Sequence, residues 1–489
     1  MAAITSIKNL RLKFPGVESL LFKDFSLAFK KGEKVLILGP SGSGKSTLLQ
    51  VLTGIIPKSV EVPMKAEEVC TPDSWGFLFQ DPDTQFCMPY ADEEIAFVLE
   101  NLQIPKTQME SLIRHYLEQV GLDLDDTHTS IQTLSGGMKQ RLAIASVLAL
   151  EPDVLFLDEP TAMLDPEGTR DVWQTMKKVA KNKTVIIVEH KIEEVIDFVD
   201  RVLLLSDQGE IIADGSKQQV FSGYKHVLAE QGIWYPGVWE EYLLAQNQSR
   251  AKPAIDKAMP MISLDNFSGY RGKAKKIEVN RANAYPGEWI TVVGKNGAGK
   301  STLLHALMHL IKVKGTYQIF GNDFKKLKTI SDYAAFVFQN PEFQFVTNSV
   351  YEEAAYSLQL EKWPQEKIEC RVEKLLRSYK LENRRNDHPY QLSMGQKRRL
   401  SVASAIVKQQ PILLLDEPTF GQDAKNTFSI LEQLESLRLL GTTIVMVTHD
   451  SNIVKHFATR YWHIENGKLA EDGSPAEYIE KEALLTAVD

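Results

Sequence analysis

The sequence is poor in cysteine. Its 489 residues include three, Cys70, Cys87 and Cys370, which are odd in number and have no CxxC spacing. This pattern argues against a disulfide framework and a zinc site, and it favours a reducing, cytoplasmic compartment. We expect the three thiols to be buried as small apolar side chains.

The chain also lacks an uninterrupted apolar segment of about 18 residues, the length that favours a membrane-spanning helix. In residues 1–13, charges interrupt every short apolar run, so this stretch does not resemble a signal peptide. If the protein serves a membrane process, we expect it to act from one side, through partner chains.

Positive charge is not in excess either, since the formal net charge is −8, which argues mildly against a nucleic-acid partner. The remaining composition, 43% hydrophobic and 25% charged, is that of an ordinary globular protein. The length predicts roughly two to four domains, each able to bury a core.

What is present is a glycine-rich sequence between an apolar strand (34–38) and a helix (48–52). Its glycines let backbone N–H groups converge on phosphate oxygens, and the helix N-terminus adds partial positive charge. Lys45 would reach the β- and γ-phosphates, and the Ser46 hydroxyl would ligate Mg²⁺. The predicted ATP-binding loop comprises Gly39, Pro40, Ser41, Gly42, Ser43, Gly44, Lys45, Ser46 and Thr47.

The same loop occurs again as Gly294, Lys295, Asn296, Gly297, Ala298, Gly299, Lys300, Ser301 and Thr302. A glutamine after an apolar strand, an Asp-Glu pair at a strand end and a histidine after the next strand also repeat. The pairs and their offsets are Lys45 and Lys300, 255 residues; Gln80 and Gln339, 259; Glu159 and Glu417, 258; His190 and His449, 259. This nearly constant spacing indicates an internal duplication.

Apolar strands alternate with helices in both copies, which predicts a parallel sheet covered on both faces. The predicted strands are 4–14, 25–29, 34–38, 76–80, 154–159, 184–188, 289–293, 336–339, 412–417 and 443–448, and the helices include 48–52, 109–120 and 139–150.

Between the copies, residues 245–259 are polar, rich in alanine and contain Pro253, so we interpret them as a linker. The first domain is then 1–244 and the second 260–489. The aromatic stretch 234–239 is expected to close the first domain, packing on it or on its twin; a partner-binding strip is the alternative.

Each half also has a serine and a glycine that open a long helix, Ser135 with Gly137 and Ser393 with Gly395. A serine hydroxyl, open N–H groups and the helix dipole together form an anion site. Alone, such a pair could be only a helix cap. Because a phosphate loop and an acidic strand end occur in the same half, we interpret it as a second anion site.

With these motifs, the chain resembles the ATP-binding subunit of an ABC transporter with two nucleotide-binding domains fused. The resemblance implies an α/β fold of two tandem P-loop NTPase (ABC ATPase) domains, each with a mainly parallel sheet core, an antiparallel β subdomain and a helical subdomain. In that family the signature Ser and Gly close over the ATP held by the opposite P-loop. Lys45 and Ser46 would thus face Ser393 and Gly395, and Lys300 and Ser301 would face Ser135 and Gly137.

The other roles follow from charge, position and this resemblance. The predicted Mg²⁺ ligands, partly through water, are Ser46, Gln80, Asp158, Ser301, Gln339 and Asp416. The predicted catalytic residues are Glu159 and Glu417, which would polarise the attacking water, with Gln80, Gln339, His190 and His449. Each histidine could instead be a solvated strand end. Phe14 and Tyr270 are expected to stack on adenine, although ordinary core aromatics are almost as plausible.

The two halves depart from the family pattern in different ways. Met394 replaces the first signature glycine of the second half, and Met138 replaces the usual glutamine of the first. Asp165 and Asp423 match the loop through which the two sites communicate, but the second loop departs from the usual Ala-Leu-Asp. We expect both sites to hydrolyse ATP, with the Lys45/Ser393 site slower.

The segments 80–86 (QDPDTQF) and 339–345 (QNPEFQF) are similar to those of ATPases of energy-coupling factor (ECF) transporters. The resemblance implies an integral membrane coupling subunit that docks there, a small substrate-capture membrane subunit, and a location on the cytoplasmic face of the cell membrane. The fused arrangement resembles ATPases associated with thiamine or hydroxymethylpyrimidine; cobalt or another vitamin stays open. One fused chain, a monomer in the complex, would complete both sites.

Three other classes of ATPase are alternatives. Fused sugar-importer ATPases commonly have degenerate catalytic residues in one half, whereas Glu159 and Glu417 are both present. Ribosome-associated twin ATPases usually carry a long charged linker, and here the linker is short. A DNA-repair ATPase would need a coiled-coil or zinc insertion, and the sequence contains neither.

Overall fold

The computed structural model describes residues 3–16, 19–40, 42–162, 164, 166–245, 255, 257–327 and 329–486. They form two compact units: unit 1 is Met1–Val238 with Asp423–Lys425, and unit 2 is Trp239–Gln422 with Asn426–Asp489. Ser41, Asp165 and most of the predicted linker, 246–254 and 256, lie outside the described residues.

The strands of unit 1 are β1 (Ala3–Leu12), β2 (Phe22–Lys30), β3 (Lys34–Leu38), β4 (Met64–Lys65), β5 (Glu68–Cys70), β6 (Trp75–Leu78), β7 (Val154–Asp158), β8 (Thr184–Val188), β9 (Arg201–Leu205) and β10 (Ile211–Ser216). Its helices are α1 (Lys45–Thr53), α2 (Ile55–Lys58), α3 (Ala91–Asn101), α4 (Lys106–Gln119), α5 (Gly136–Leu148), α6 (Pro166–Val179), α7 (Lys217–Gly223) and α8 (Lys225–Gln231), with 3-10 turns at Pro82–Thr84 and Ile131–Thr133.

The main sheet of unit 1 has the strand order β10-β9-β3-β8-β7-β6. The neighbouring strands β9, β3, β8, β7 and β6 run parallel, and β10 is an antiparallel edge strand. Strands β7 and β8 are buried at every position, which explains why their sequences are continuous apolar runs. A second, antiparallel sheet pairs β1 with β2, β4 and β5, and its core joins that of the main sheet through α1.

Helix α9 (Val238–Ala245) begins at the boundary, and unit 2 continues with β11 (Ile262–Arg271), β12 (Ala274–Ala284), β13 (Trp289–Val293), β14 (Lys312–Ile319), β15 (Asn322–Asp323), β16 (Ala334–Val337), β17 (Ile412–Asp416), β18 (Thr443–Val447), β19 (Arg460–Glu465) and β20 (Lys468–Gly473). Its helices are α10 (Lys300–Leu307), α11 (Val350–Leu360), α12 (Gln365–Ser378), α13 (Met394–Ile406), α14 (Ala424–Leu439), α15 (Ser451–His456) and α16 (Pro475–Thr486), with 3-10 turns at Phe324–Lys326, Ile330–Asp332, Pro341–Gln344, Glu382–Arg384 and Pro389–Gln391.

In unit 2 the strand order is β15-β14-β11-β12-β20-β19-β13-β18-β17-β16. The parallel part, β19-β13-β18-β17-β16, repeats β9-β3-β8-β7-β6 of unit 1. The antiparallel strands β11, β12 and β14 join it through β12 and β20. Within unit 2, Trp239 and Tyr242 of α9 pack on Phe428 of α14, with ring centroids 4.9 and 3.9 Å away.

The predicted fold class is confirmed: both units are α/β, with a parallel core, antiparallel strands and a helical region. Strands β3, β8 and β13 have the predicted bounds, but β6 and β16 end two residues earlier than predicted. They end where their parallel pairing with β7 and β17 ends, at Leu78 and Val337. Helix α5 begins three residues earlier than predicted because Ser135 caps it.

The expectation that the cysteines are buried was wrong, since Cys70, Cys87 and Cys370 are all exposed. Cys70 ends the short strand β5, Cys87 follows a 3-10 turn, and Cys370 lies on an outward face of the amphipathic helix α12.

Candidate ATP-binding and hydrolysis sites

In unit 1 the predicted phosphate loop connects β3 to α1, which begins at Lys45. Gly44, just before the helix, has φ 90°, and a Cβ there would lie 2.8 Å from Cζ of Phe22, so only glycine fits. Lys45 Nζ donates to the carbonyls of Gly39 and Pro40 at 2.8 and 2.9 Å. Burial lowers the pKa of Lys45, although Glu159 and Asp158 oppose this. The open N–H groups of the helix end and a buried ammonium thus meet at one anion site.

Unit 2 repeats this geometry between β13 and α10. Lys300 Nζ donates to the carbonyls of Gly294 and Lys295 at 2.6 and 3.0 Å. Gly294 has φ 139°, and a Cβ there would lie 2.2 Å from the carbonyl oxygen of Ile464, so a side chain is excluded. Every predicted loop residue except Ser41 is described, and both loops present the same lysine and helix start.

The acids at the ends of β7 and β17 supply oxygen ligands of the kind Mg²⁺ prefers. Ser46 Oγ donates to Asp158 Oδ1 at 2.9 Å. Burial raises the pKa of Asp158 and of Asp416 to about 6, while Ser46 and Ser301 respectively oppose this effect.

A test of whether these residues fit Mg²⁺ comes from Asp416, whose Oδ1 is buried without a hydrogen-bond partner within the described part of the chain. A cation would satisfy this atom. Nowhere among the described residues do three or more His, Cys, Asp or Glu side chains form a group that could hold a metal. A carboxylate with a hydroxyl beside it, as in Asp158 and Ser46, fits a Mg²⁺ whose remaining oxygen ligands would be water and nucleotide phosphates.

The glutamate after each acid lies against the predicted histidine. His190 Nε2 is 2.9 Å from Glu159 Oε1, and Gln80 Nε2 donates to Glu159 Oε2 at 2.9 Å. In unit 2, His449 Nε2 is 3.1 Å from Glu417 Oε1. Gln339 is exposed, two residues beyond β16.

Both glutamates are held in a way that suits a water-polarising carboxylate. Each has φ 50°, in the left-handed region, and its backbone N–H donates to the end of the neighbouring strand, at Val188 or Val447. Burial works to raise the pKa of Glu159, but the hydrogen bond and charge of His190, with Lys45, outweigh it and leave that pKa lowered. Glu159 is therefore ionised at neutral pH.

Helices α5 and α13, which follow Ser135 and Ser393 and are called the signature helices below, begin differently. Ser135 Oγ accepts from the backbone N–H of Met138 at 3.3 Å. Ser393 Oγ accepts from Gln396 N at 3.4 Å, and Ser393 N donates to Gln396 Oε1 at 2.9 Å, which completes a capping box. Met138 has no oxygen with which to do the same, so the N-terminus of α5 has one hydrogen bond fewer to its side chains.

The two predicted adenine-stacking residues stay predictions. Phe14 lies two residues past the end of β1 and is about one-third exposed. Tyr270 lies near the end of β11, where Lys314 Nζ is 5.2 Å from its ring centroid. A cation on that face leaves the other face for stacking.

Sequence reasoning missed two buried residues beside the predicted catalytic groups, Glu189 and Arg398. Glu189 is 3% exposed, precedes His190, and accepts a hydrogen bond from Thr161 Oγ1 in the loop after Glu159. Aligning the two copies would have marked both as positions where the halves differ, because unit 2 has Thr448 at the place of Glu189 and unit 1 has Gln140 at that of Arg398.

Glu189→Gln is expected to remove a loss of stability that the raised pKa of Glu189 predicts for the native protein as pH rises. Burial raises the pKa of Glu189 to about 8, against the opposing hydrogen bond from Thr161. In the unfolded chain the pKa of this carboxyl is about 4.5. Because the pKa in the folded protein is higher, the stabilisation that the protonated carboxyl contributes is complete below about pH 4.5 and is lost as pH rises through 8. Relative to the native protein, the unfolding free energy of the variant should increase by on the order of 3 kcal/mol between acid and alkaline pH.

Unfolding midpoints of unit 1, measured by calorimetry from pH 5 to 9, check this. The matched control is Glu193→Gln, which changes an exposed glutamate nearby. A Glu189→Gln variant that follows the pH profile of the native protein would show that this carboxyl is ionised when folded.

The comparisons with known proteins cover both units. The family model described as ABC transporter matches residues 22–162 and 279–420. A Bacillus subtilis relative named "Putative HMP/thiamine import ATP-binding protein YkoD" is 34% identical over 99% of this chain and 93% of its own length. A Methanosarcina mazei relative named "Putative ABC transporter ATP-binding protein" is 32% identical over 97% and 90%, respectively. The solved structure of cbiO1 from Clostridium perfringens, described as part of the ABC transporter complex cbiONQ, is 26% identical over 47% of this chain and 94% of its own, with a TM-score of 0.42.

Two α/β units, each with a glycine-rich phosphate loop and an acidic strand end, define the class as a tandem P-loop ATPase. The family match and the full-length relatives narrow this further: the chain belongs to the ABC transporter family, as the ATP-binding protein of a transporter. It is an ATPase coupled to transport.

Proposed function

We propose that this chain is the energy-coupling ATPase of an ECF-type importer. It binds two MgATP at composite sites, each made by the P-loop of one unit and the signature helix of the other. ATP hydrolysis drives uptake of a vitamin or related small solute through separate membrane subunits. The observation that carries this proposal is a set of ion pairs and hydrogen bonds. They join the segment that begins at each glutamine, 80–86 or 339–345, to the signature helix of the same unit.

In unit 1 the fastening joins residues 80–86 to α5. Asp83 forms an ion pair with Lys139 on the first turns of α5, with Oδ1 2.7 Å from Nζ. Gln85 Nε2 donates to the carbonyl of Ala143, further along the helix, at 3.3 Å. Asp81 caps the 3-10 turn by accepting from the N–H of Asp83, so the segment holds its own shape.

Unit 2 repeats the ion pair, with Glu342 in place of Asp83, and the glutamine bond to the helix. Glu342 Oε1 lies 2.5 Å from Nζ of Lys397 on α13. Gln344 Nε2 donates to the carbonyl of Ser401, and Ser401 Oγ donates back to Gln344 Oε1, both at 2.8 Å. A partner that moves this segment would therefore move the signature helix with it, which is the mechanical link an energy-coupling subunit needs.

The chemical step is phosphoryl transfer to water, which needs positioning and charge stabilisation. Lys45 and Lys300 would exchange their loop carbonyls for β- and γ-phosphate oxygens. Glu159 and Glu417 orient the attacking water, and His190 and His449 donate towards the γ-phosphate. Mg²⁺ at Asp158 and Asp416 would supply charge neutralisation on the β- and γ-oxygens.

The serine hydroxyl and N-terminal N–H groups of each signature helix would face the γ-phosphate of the opposite unit. In the second helix Met394, which is half exposed, stands where the first has Gly136. Its bulk is the reason to expect slower turnover at the site of Lys45.

The proposed partners are an integral membrane coupling subunit and a small substrate-capture membrane subunit, with no nucleic acid. No helix in the described ranges is long and apolar enough to cross a lipid bilayer. Through these partners, the protein would lie peripherally on the cytoplasmic face of the cell membrane, as a monomer in the complex. Thiamine or hydroxymethylpyrimidine is the proposed solute because the Bacillus subtilis relative is named for HMP/thiamine import.

Affinity purification from detergent-solubilised membranes tests the proposal. Integral membrane proteins are expected to co-purify with the native chain and to be lost with Phe343→Asp, because Phe343 is 75% exposed in the proposed docking segment. The matched control is Leu440→Asp, at a leucine that is 78% exposed just after α14. Co-purifying ribosomal proteins, or equal retention of membrane partners by Phe343→Asp and the native chain, would contradict the docking assignment.

A further inference from the structure

Arg398 is a buried cation on the signature helix of unit 2. It lies in α13, five residues after Ser393, and is 4% exposed. Its Nη1 donates to the carbonyl oxygen of Phe338 at 3.0 Å, and its Nε is buried without a hydrogen-bond partner in the described part of the chain. Burying a guanidinium with incomplete hydrogen bonding is costly, so nearby charge must stabilise it.

The stabilising charges come from the candidate ATP site. Burial lowers the pKa of Arg398 to about 10, and the opposing effects come from Glu417 and Asp416. Arg398 is therefore still charged at neutral pH. Its effect is reciprocal, since it also works to lower the pKa of Asp416. The Arg398 side chain thus joins the signature helix to the residue just after β16, and its charge acts on the two acids at the end of β17.

Unit 1 has no such cation. The corresponding residue of α5, five residues after Ser135, is Gln140, which is 2% exposed. Its Nε2 is buried without a hydrogen-bond partner among the described residues. A neutral side chain thus occupies the same place in the twin fold, so packing alone does not require arginine at position 398.

Both units have an ion pair at this place, Asp83–Lys139 in unit 1 and Glu342–Lys397 in unit 2. Arg398 is an addition to that shared link, because it bonds to Phe338, directly before the segment that begins at Gln339. We propose that Arg398 is a positioning residue for ATP hydrolysis in unit 2, holding the backbone at Phe338 and Gln339 in register with Asp416 and Glu417. The inference rests on the proposed roles of those two acids.

Three variants separate charge from shape. Arg398→Gln copies unit 1, Arg398→Lys keeps the charge, and Gln140→Met is the matched control in α5. Arg398→Gln is expected to lower kcat about tenfold with little change in KM for MgATP, the size expected for losing a charged hydrogen bond. Hydrogen exchange should rise by a similar factor in residues 338–346 and stay unchanged in 79–87. Arg398→Lys should restore most of both, and Gln140→Met should alter neither.

The inference is overturned if Arg398→Gln leaves kcat and exchange in 338–346 at native values. It is also overturned if exchange rises equally in both segments with a lower unfolding midpoint, which would indicate a merely structural role. Glu417→Gln distinguishes this failure from failure of the proposed site. If Glu417→Gln leaves hydrolysis intact, the assignment of the acids is wrong. If Glu417→Gln abolishes hydrolysis and Arg398→Gln has no effect, only the role of Arg398 is contradicted.

Discussion

Glu417→Gln is expected to remove most of the ATPase activity of the protein, whereas Glu159→Gln should remove the smaller part. Each amide keeps the shape of the side chain and its contact with His449 or His190, but it cannot polarise water as a carboxylate does. At its own site, each change should cost about 100-fold or more in turnover. The difference is expected because, in the proposed arrangement, Ser135 and Gly137 complete the Lys300 site, whereas the Lys45 site is completed by a helix that starts with Met394.

Phosphate release at saturating MgATP, measured for each variant alone, checks this result. Equilibrium ATP binding is the control, because neither glutamate is assigned to hold the nucleotide and both variants should still bind it. Equal losses in the two variants would contradict the inequality of the sites, and undiminished turnover in both would contradict the assignment of the glutamates.

Gly137→Asp is expected to cost more activity than Gly395→Asp. A Cβ at Gly137 would have no heavy atom within 4 Å, and one at Gly395 would lie 3.5 Å from Gln422 Oε1, so the fold accommodates both side chains. An aspartate in the first helical turn even suits the helix dipole. Its charge would, however, repel the γ-phosphate of the opposing ATP, weakening nucleotide affinity at that site by about tenfold or more.

KM for MgATP, with Gly137→Ala and Gly395→Ala as neutral controls, separates the charge from the loss of glycine. If signature helices serve the opposite unit, Gly137→Asp affects the faster Lys300 site. A larger effect of Gly395→Asp would argue that each helix serves its own unit.

The sequence sufficed for the phosphate loops and acidic strand ends because these are local patterns of strand, turn and helix. The first loop helix begins at Lys45, three residues before the predicted 48. Strands β7 and β17 end at Asp158 and Asp416, one residue before the predicted ends at 159 and 417. The ends of β6 and β16 depend on pairing with β7 and β17, which one strand alone does not reveal. For the same reason, Gln80 lies beyond its strand rather than on it.

The residues that sequence reasoning missed depend on tertiary contacts. Glu189 was visible beside His190, but nothing local indicates that its carboxyl is buried and accepts from Thr161. Arg398 lies within a familiar motif, and only the folded chain brings it to Phe338, 60 residues away. Burial of cysteine failed as a prediction because the average burial of a residue type says little about particular positions, here a strand end, a loop after a 3-10 turn and an outward helix face.

The central claim, that each ATP is closed by the signature helix of the other unit, is tested most directly by combining these variants. In the Glu159→Gln variant, only the Lys300 site is expected to hydrolyse ATP. Adding Gly137→Asp to that chain should then lower the remaining phosphate release about tenfold or more at MgATP concentrations well below KM, and adding Gly395→Asp should leave it nearly unchanged. Loss of the remaining activity with Gly395→Asp, and its survival with Gly137→Asp, would contradict the account.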